Sequence, residues 1–277
     1  MNFLRLLLFG LALLLASAAE AQYAPSGPPA PGPFHIIGGG SNGGCMVGAV
    51  SLPPQGDGFQ TIHSSISHFY GAPVTVEGVE KLGQEAHANG LPPLLVEDMS
   101  LPRGGPMPGG HAAHQIGLDV DIALDMHMRG YLSEGERESI RIASLVRPDY
   151  RDIEPSMWGE AVVRVLWLAA TLPGVDRVLV NAAIKQQLCR TVTGDRSWLR
   201  IIRPYYGHAA HMHIHFKCPP GQTECVSIPP QPPGDGCDAS LQWWFDQLNA
   251  PKPPPGPPKP RPRLPEACYA LFGWASR

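Results

Sequence analysis

Charge is scarce in this sequence: 16% of its residues are Asp, Glu, Lys or Arg, and 21 basic against 24 acidic side chains leave a net charge of −3. A surface made for phosphate backbones or anionic lipid needs a basic excess that this chain does not have, so nucleic acid and an anionic membrane surface are excluded as partners. Long uninterrupted helices are equally unsupported, because 31 glycines and 32 prolines punctuate 277 residues. Beyond the N-terminus, no apolar run approaches the roughly 20 residues that a spanning helix needs. What is present is 43% hydrophobic residues, enough for one sizeable core and too many for a disordered chain.

The first residues, MNFLRLLLFGLALLLASAAEAQ, combine Arg5, an apolar stretch from Leu6 to Leu15 and the small-residue site Ala19-Glu20-Ala21. This pattern predicts a secretory signal peptide over 1–21, no membrane anchor after its removal, and export to an oxidising compartment. There, the six cysteines Cys45, Cys189, Cys218, Cys225, Cys237 and Cys268 read as three disulfides rather than as a cysteine zinc site. Cys218 and Cys225 are close enough to close a short loop, and spacing leaves the connectivity of the other four open. Residues 22–34 hold five prolines and read as an extended leader outside the core. Pro251 to Pro265 holds nine prolines among fifteen residues and reads as a polyproline strap within a C-terminal segment, 251–277, that a disulfide from Cys268 would pin.

Between these ends, short strands and short helices alternate. Helical spacing marks Val76 to Ala88, Trp158 to Leu172 and Ala182 to Cys189, and strands are expected at Leu94 to Val96 and Arg177 to Val180. Leu118 to Leu124 has strict period 2, with Leu118, Val120, Ile122 and Leu124 toward the core and Asp119 and Asp121 opposite. Met212, Ile214 and Phe216 alternate in the same way with His211, His213 and His215. The expectation is a single α+β domain with a central, mostly antiparallel sheet.

Seven of the eleven histidines fall in two windows, His111, His114 and His127 in the first, and His208, His211, His213 and His215 in the second. The first window comes off a glycine-rich loop and ends on the strand with Asp121, giving HxxHxxxxxxD; the second reads HxxHxH. Imidazoles and a carboxylate converging with an open position are the coordination chemistry of a catalytic zinc. His35, His63, His68 and His87 are read as polar surface or hydrogen-bonded core residues, and His127 and His215 as surface residues. Asp119 either competes with Asp121 as ligand or hydrogen-bonds a ligating histidine.

These residues resemble the penicillin-insensitive murein endopeptidases, periplasmic members of a zinc peptidase superfamily that includes lysostaphin, D-Ala-D-Ala dipeptidases and the hedgehog signalling domain. The resemblance rests on HxxxxxxD at His114 to Asp121, HxH at His211 to His213, and the blocks GGHAAHQIGLDVDI, NAAIKQQLC, WLRIIRPYYGHAAHMH and SHFYGAP. It implies a zinc peptidase domain over 35–250, with His114, Asp121 and His213 as ligands of one zinc and His111 a further ligand or close neighbour. It implies that His211 and His208 are the catalytic histidines that act on water and substrate. It also implies the disulfides Cys45 to Cys268, Cys189 to Cys237 and Cys218 to Cys225.

The activity so implied is hydrolysis of peptide cross-links in periplasmic peptidoglycan, at the D-alanyl to meso-diaminopimelyl bond, by a water activated on zinc. Such a site forms no acyl-enzyme and is indifferent to β-lactams, which trap a nucleophilic serine. Two alternatives use the same fold: a D-Ala-D-Ala carboxypeptidase, and a non-catalytic wall-binding module. A pure binding site needs only ligands, so His208 and His211 beside the HxH favour catalysis.

Overall fold

A computed structural model describes residues 25–40, 43–108, 111–250 and 263–275. The expected signal peptide lies outside the described residues, and so does most of the proline-rich stretch. Among the described residues, no helix is long and apolar enough to cross a membrane.

The strands are β1 (His35–Gly39), β2 (Gly44–Val47), β3 (Val50–Ser51), β4 (Gln55–Gly56), β5 (Phe59–Thr61), β6 (Tyr70–Gly71), β7 (Leu94–Asp98), β8 (Asp119–Ala123), β9 (Val175–Val180), β10 (Ile202–Pro204), β11 (His211–Phe216) and β12 (Cys225–Val226). The α-helices are α1 (Pro73–Ala88), α2 (Glu134–Ser139), α3 (Glu160–Thr171), α4 (Ala182–Thr191), α5 (Ala239–Asn249) and α6 (Glu266–Phe272). Seven strands form the central sheet in the order β10-β9-β11-β8-β7-β5-β4.

The expectation of a mostly antiparallel sheet is corrected here: the sheet is mixed. Its centre, from β9 through β11 and β8 to β7, pairs antiparallel. Toward the two sides, β9 pairs parallel with β10 and β5 pairs parallel with β7. The cause is connectivity. Parallel neighbours need a long crossover, and the sequence supplies α4 between β9 and β10 and α1 between β5 and β7.

The helices begin where the sequence supplies caps. Pro73 opens α1 after the extended Ala72, Asn181 caps α4 by accepting from Ala183 N–H, and Asp238 caps α5 by accepting from Ser240 N–H. The expected strand and helix positions agree to within a few residues, except that β7 runs on from Val96 through Glu97 to Asp98.

One face of the sheet is apolar. Val120 and Ile122 of β8 and Met212, Ile214 and Phe216 of β11 join Val79 and Leu82 of α1 and Val165, Leu166 and Ala169 of α3 in a single core. Gly78 in α1 lets the Phe216 ring lie where a Cβ would stand. On the opposite face, Ile62, Leu95 and Ala123 are covered by Leu132, Ile140 and Ile142. The remainder of that face, carrying Asp119, Asp121 and the β11 histidines, is left to a cleft.

Helix α4 is the scaffold for three loops. Asn181, Lys185 and Cys189 recur every fourth residue and so share one face. Asn181 donates through Nδ2 to Gly207 O at 2.8 Å and through its backbone N–H to His208 O at 2.9 Å. Lys185 is fully buried and donates to Leu199 O at 2.7 Å and Asp235 O at 2.5 Å. Cys189 is bonded to Cys237. Burial, with Arg203 nearby, pushes the Lys185 ammonium down to about 7, but its two carbonyl acceptors hold it in place.

The other two disulfides are Cys45 to Cys268 and Cys218 to Cys225, and no described cysteine is free. Cys45 and Cys268 form a small apolar cluster with Leu264, against which Ile37, Tyr269, Leu271, Phe272 and Trp274 pack. Arg103 sits beside it and donates to Pro28 O and to Leu271 O, both at 2.9 Å. The described part of the leader is thereby tied to the domain, with Ala30 buried and its carbonyl accepting from Gly48 N–H.

The Cys45 to Cys268 bond closes a loop spanning 223 positions. Replacing both cysteines by serine is expected to lower unfolding stability by about 3 to 5 kcal/mol in the chain-entropy picture, measured as a lower urea midpoint with the other two disulfides intact.

Candidate metal centre

The pairing of β8 with β11 assembles the site. Their antiparallel register sets His213 opposite Asp121, His215 opposite Asp119 and His211 opposite Ala123. Directly opposed side chains on one face of a sheet are in contact range, so the HxHxH and DxD patterns interlock. His114, Asp119, Asp121 and His213 are each at most 4% exposed.

His114 Nδ1 donates to Met99 O at 2.5 Å, which turns Nε2 toward Asp121 Oδ2 at 3.3 Å; burial opposes a charged ring here, but that carboxylate outweighs it and holds the imidazole above its ordinary range. His213 has Nδ1 at 2.9 Å from Asp121 Oδ1 and 3.2 Å from His114 Nε2. Its Nε2–H donates to Asp119 Oδ1 at 2.9 Å. Asp119 accepts as well from His215 Nδ1 at 2.6 Å. The expectation that His215 is a surface residue is therefore corrected: it is half-buried in the cleft wall and bonded to Asp119, because its register partner is that carboxylate. His127 is on the surface as expected, bonded to Asp125 at 2.5 Å.

His111 faces the same centre from the loop side, with Nδ1 3.9 Å from Asp121 Oδ2 and Nε2 3.8 Å from Asp98 Oδ2. One donor atom each from His111, His114 and Asp121 lies within 4.8 Å of the others. His114 and Asp121 thus belong to two overlapping groups, one completed by His111 and the other by His213.

The donor set fits a divalent cation on its own chemistry. Asp119 and Asp121 are buried carboxylates whose partners are all imidazoles, and Asp119 Oδ2 has no hydrogen-bond partner among the described residues. Burial works against ionised carboxylates, yet the surrounding histidines hold both well below the usual range. Burial likewise opposes a charged His213, but the Asp121 charge and hydrogen bonds to both carboxylates outweigh it and push that ring up to about 10. Two buried negative charges call for positive charge between them, and a cation ligated by nitrogen and oxygen supplies it as naturally as a proton does.

His211 and His208 stand on the open side. His211 Nε2 lies 3.9 Å from Asp121 Oδ2, and the His208 ring is 5.1 Å from that of His211 and 5.7 Å from that of His213. Burial pushes His211 down and His208 down to about 4, so both rings are neutral at pH 7. His208 adopts the left-handed backbone region at φ 48°, a conformation that costs a non-glycine residue roughly 1–2 kcal/mol. Asn181 of α4 holds it there through Gly207 O and His208 O.

Sequence reasoning missed the contribution of β7. Its pairing with β8 shifts register between Val96 and Asp98, so two residues of β7 occupy the space of one on β8. Consecutive side chains then reach the same site: Glu97 Oε2 is 3.4 Å from His211 Nδ1, and Asp98 accepts from His68 Nδ1 at 2.7 Å while facing His111. Burial, with Asp121 and Asp98 nearby, pushes Glu97 up to about 8. The available signal was a pair of acids, Glu97-Asp98, closing an apolar run.

The cleft over this centre has a volume of about 640 Å³ and is lined beyond the histidines by Arg177, Leu179, Tyr205, Tyr206 and Ile228. The model of the family described as penicillin-insensitive murein endopeptidase matches residues 36–273. The chain belongs to that family. Relatives named penicillin-insensitive murein endopeptidase include one from Klebsiella pneumoniae, 41% identical over 264 residues that cover 94% of each chain. Others come from Salmonella arizonae and Salmonella newport, each 40% identical over 261 residues covering 93% of both chains. Membership in this endopeptidase family makes the protein a peptidase, and the match spans both histidine windows and all six cysteines.

Asp121→Ala is expected to abolish zinc binding by the purified protein, whereas Asp119→Ala should weaken it by about 10- to 100-fold while the metal is still bound at high concentration. Zinc titration by calorimetry on the refolded apoprotein checks both; equal loss in the two variants would reverse their roles.

Proposed function

We propose that this protein is a zinc-dependent endopeptidase of the periplasm that hydrolyses the D-alanyl to meso-diaminopimelyl cross-links of peptidoglycan, exported by its N-terminal signal peptide. The observation that carries the reading is the convergence of His114, Asp121 and His213 beside two neutral histidines that need not coordinate. In support, the named relatives are murein endopeptidases over nearly their whole length.

In this reading, His114, Asp121 and His213 hold the zinc and His111 is a further ligand or close neighbour. A zinc ion held there would supply Lewis-acid polarisation of the scissile carbonyl and would acidify the attacking water. The chain's own residues do the rest. Asp119 fixes the His213 ring through Nε2–H, keeping Nδ1 turned toward Asp121. His211, neutral and open to the cleft, takes a proton from water and returns it to the leaving amine nitrogen. Glu97, against its Nδ1, leaves Nε2 facing the centre. His208 gives its Nδ1–H to Tyr206 O at 2.6 Å, so its neutral ring has an unprotonated Nε2 and shares the proton-transfer work with His211.

Chelation should abolish cleavage of cross-linked muropeptide and zinc should restore it. His211→Ala is expected to keep zinc at wild-type stoichiometry while turnover falls about 100- to 10,000-fold, the usual contribution of a positioned acid–base group. His213→Ala should lose metal and turnover together. Mass spectrometry of the products, beside metal analysis of each variant, decides among the readings. Release of terminal D-alanine from monomeric muropeptide alone would make the enzyme a carboxypeptidase, and full activity in verified metal-free protein would refute the zinc reading.

A further inference from the structure

Four aromatic side chains stand at one end of the cleft, and the reaction described above does not use them. Tyr205 and Tyr206 follow β10 and line the cleft wall, while Trp243 and Trp244 lie on α5. Their rings form a continuous cluster. Tyr206 and Trp244 have centroids 4.9 Å apart, Trp243 and Trp244 5.0 Å, and Tyr205 and Trp244 6.1 Å. Trp244 packs against the core, whereas Tyr205, Tyr206 and Trp243 are 49, 57 and 49% exposed. Adjacent half-exposed large rings running from the wall of a cleft are a surface that a ligand covers.

The cluster is rigidly placed relative to the metal centre. The Cys189 to Cys237 bond and the Asp238 cap fix the start of α5. Tyr205 and Tyr206 lead directly into Gly207 and His208, which Asn181 holds.

Resting on the peptidoglycan reading, we propose that Tyr205, Tyr206, Trp243 and Trp244 form a stacking platform for pyranose rings of the glycan strand that carries the cleaved peptide. Reach agrees with this. Centroid steps of 5.6, 6.1 and 5.0 Å lead from His208 through Tyr205 and Trp244 to Trp243. A stem of about four residues, extended at about 3.3 Å per residue, spans a comparable distance from cut bond to sugar.

Charge agrees as well. Stem peptides carry carboxylates, and Arg177, the cation that lines the cleft among the described residues, is itself paired with Asp176 at 2.8 Å. The ring cluster contains no cation, and the one charged side chain of α5 is the acid Asp246, one turn beyond Trp243. The acid nearest the rings disfavours an anionic peptide, and the cation at α5, Arg151, is bonded at the far end of the helix to Asn249. A neutral sugar ring, apolar on its faces and hydroxylated at its edge, matches aromatic faces beside the exposed pair in which Gln242 Nε2 donates to Asp246 Oδ1 at 2.9 Å. The remaining oxygens of that pair can accept from hydroxyls.

Two measurements on the full-length protein test the proposal. In the first, kcat/KM is compared on a cross-linked muropeptide that keeps its disaccharides and on the same cross-linked peptide freed of sugar by an amidase. Wild type should favour the sugar-bearing substrate, and Trp243→Ala or Tyr206→Ala should reduce that preference about five- to tenfold, chiefly through KM. Equal wild-type values on the two substrates, a preference that neither substitution changes, or equal losses on both substrates would overturn the platform. In the second, tryptophan fluorescence is titrated with peptide-free glycan oligosaccharides. A saturable change in wild type, weakened in Trp243→Ala, supports the platform whatever the peptidase does, and no change refutes it. Inactivity on both cross-linked substrates faults the peptidase reading instead.

Discussion

Because β8 and β11 each bury an apolar face, their register is decided by residues that never touch the cleft. Val120 and Ile122 on one strand and Met212, Ile214 and Phe216 on the other are essentially inaccessible, and each is worth roughly 1.5–3 kcal/mol of burial. A slip of one residue on either strand would turn that strand's apolar side chains toward the cleft and drive its own polar side chain, Asp121 or His213, into the core, where an uncompensated charge costs still more. The opposition of His213 to Asp121, and of His215 to Asp119, is therefore enforced by the hydrophobic core. Chemistry on one face of the sheet is held in place by packing on the other.

The parts of the site that do not lie on these two strands are brought in by local devices. His114 comes from a loop and is oriented by a single carbonyl, that of Met99. The irregular step in β7 admits two consecutive acids where regular pleating would turn one of them away. Helix α4 works at greater distance: its evenly spaced Asn181, Lys185 and Cys189 bind the segments bearing His208, Leu199 and Asp235. This gives a physical reason for the block NAAIKQQLC, whose chemistry is remote from the metal centre. Its residues set where the His208 segment and the start of α5 stand.

How much of this was legible in the sequence follows from the range of the interactions. Period-2 alternation is local, and it identified β8, β11 and the face bearing the carboxylates and imidazoles. Which strands become neighbours is a long-range matter. The parallel flanks β9 with β10 and β5 with β7 depend on how α4 and α1 cross the sheet, and alternation within a strand carries no record of that. His215 was misplaced for the same reason, since its partner Asp119 is 96 positions away. Glu97 and Asp98 escaped notice because a bulge is a property of two strands together. The motif resemblance reached further than periodicity, to the ligand candidates and the disulfide pairing, because it draws on whole blocks of residues.

The three disulfides are fully nested: Cys218 to Cys225 lies inside Cys189 to Cys237, which lies inside Cys45 to Cys268. A chain emerging N-terminus first and oxidised in order of appearance would join Cys45 to Cys189, then Cys218 to Cys225, then Cys237 to Cys268. Only the middle bond of that series is native. Native pairing therefore requires thiol–disulfide exchange, or that Cys45 stay reduced until Cys268 is present and Cys189 until Cys237 is. The outermost bond joins residues 223 positions apart, so Cys45 stays available for its native partner only if every earlier pairing it makes can be undone.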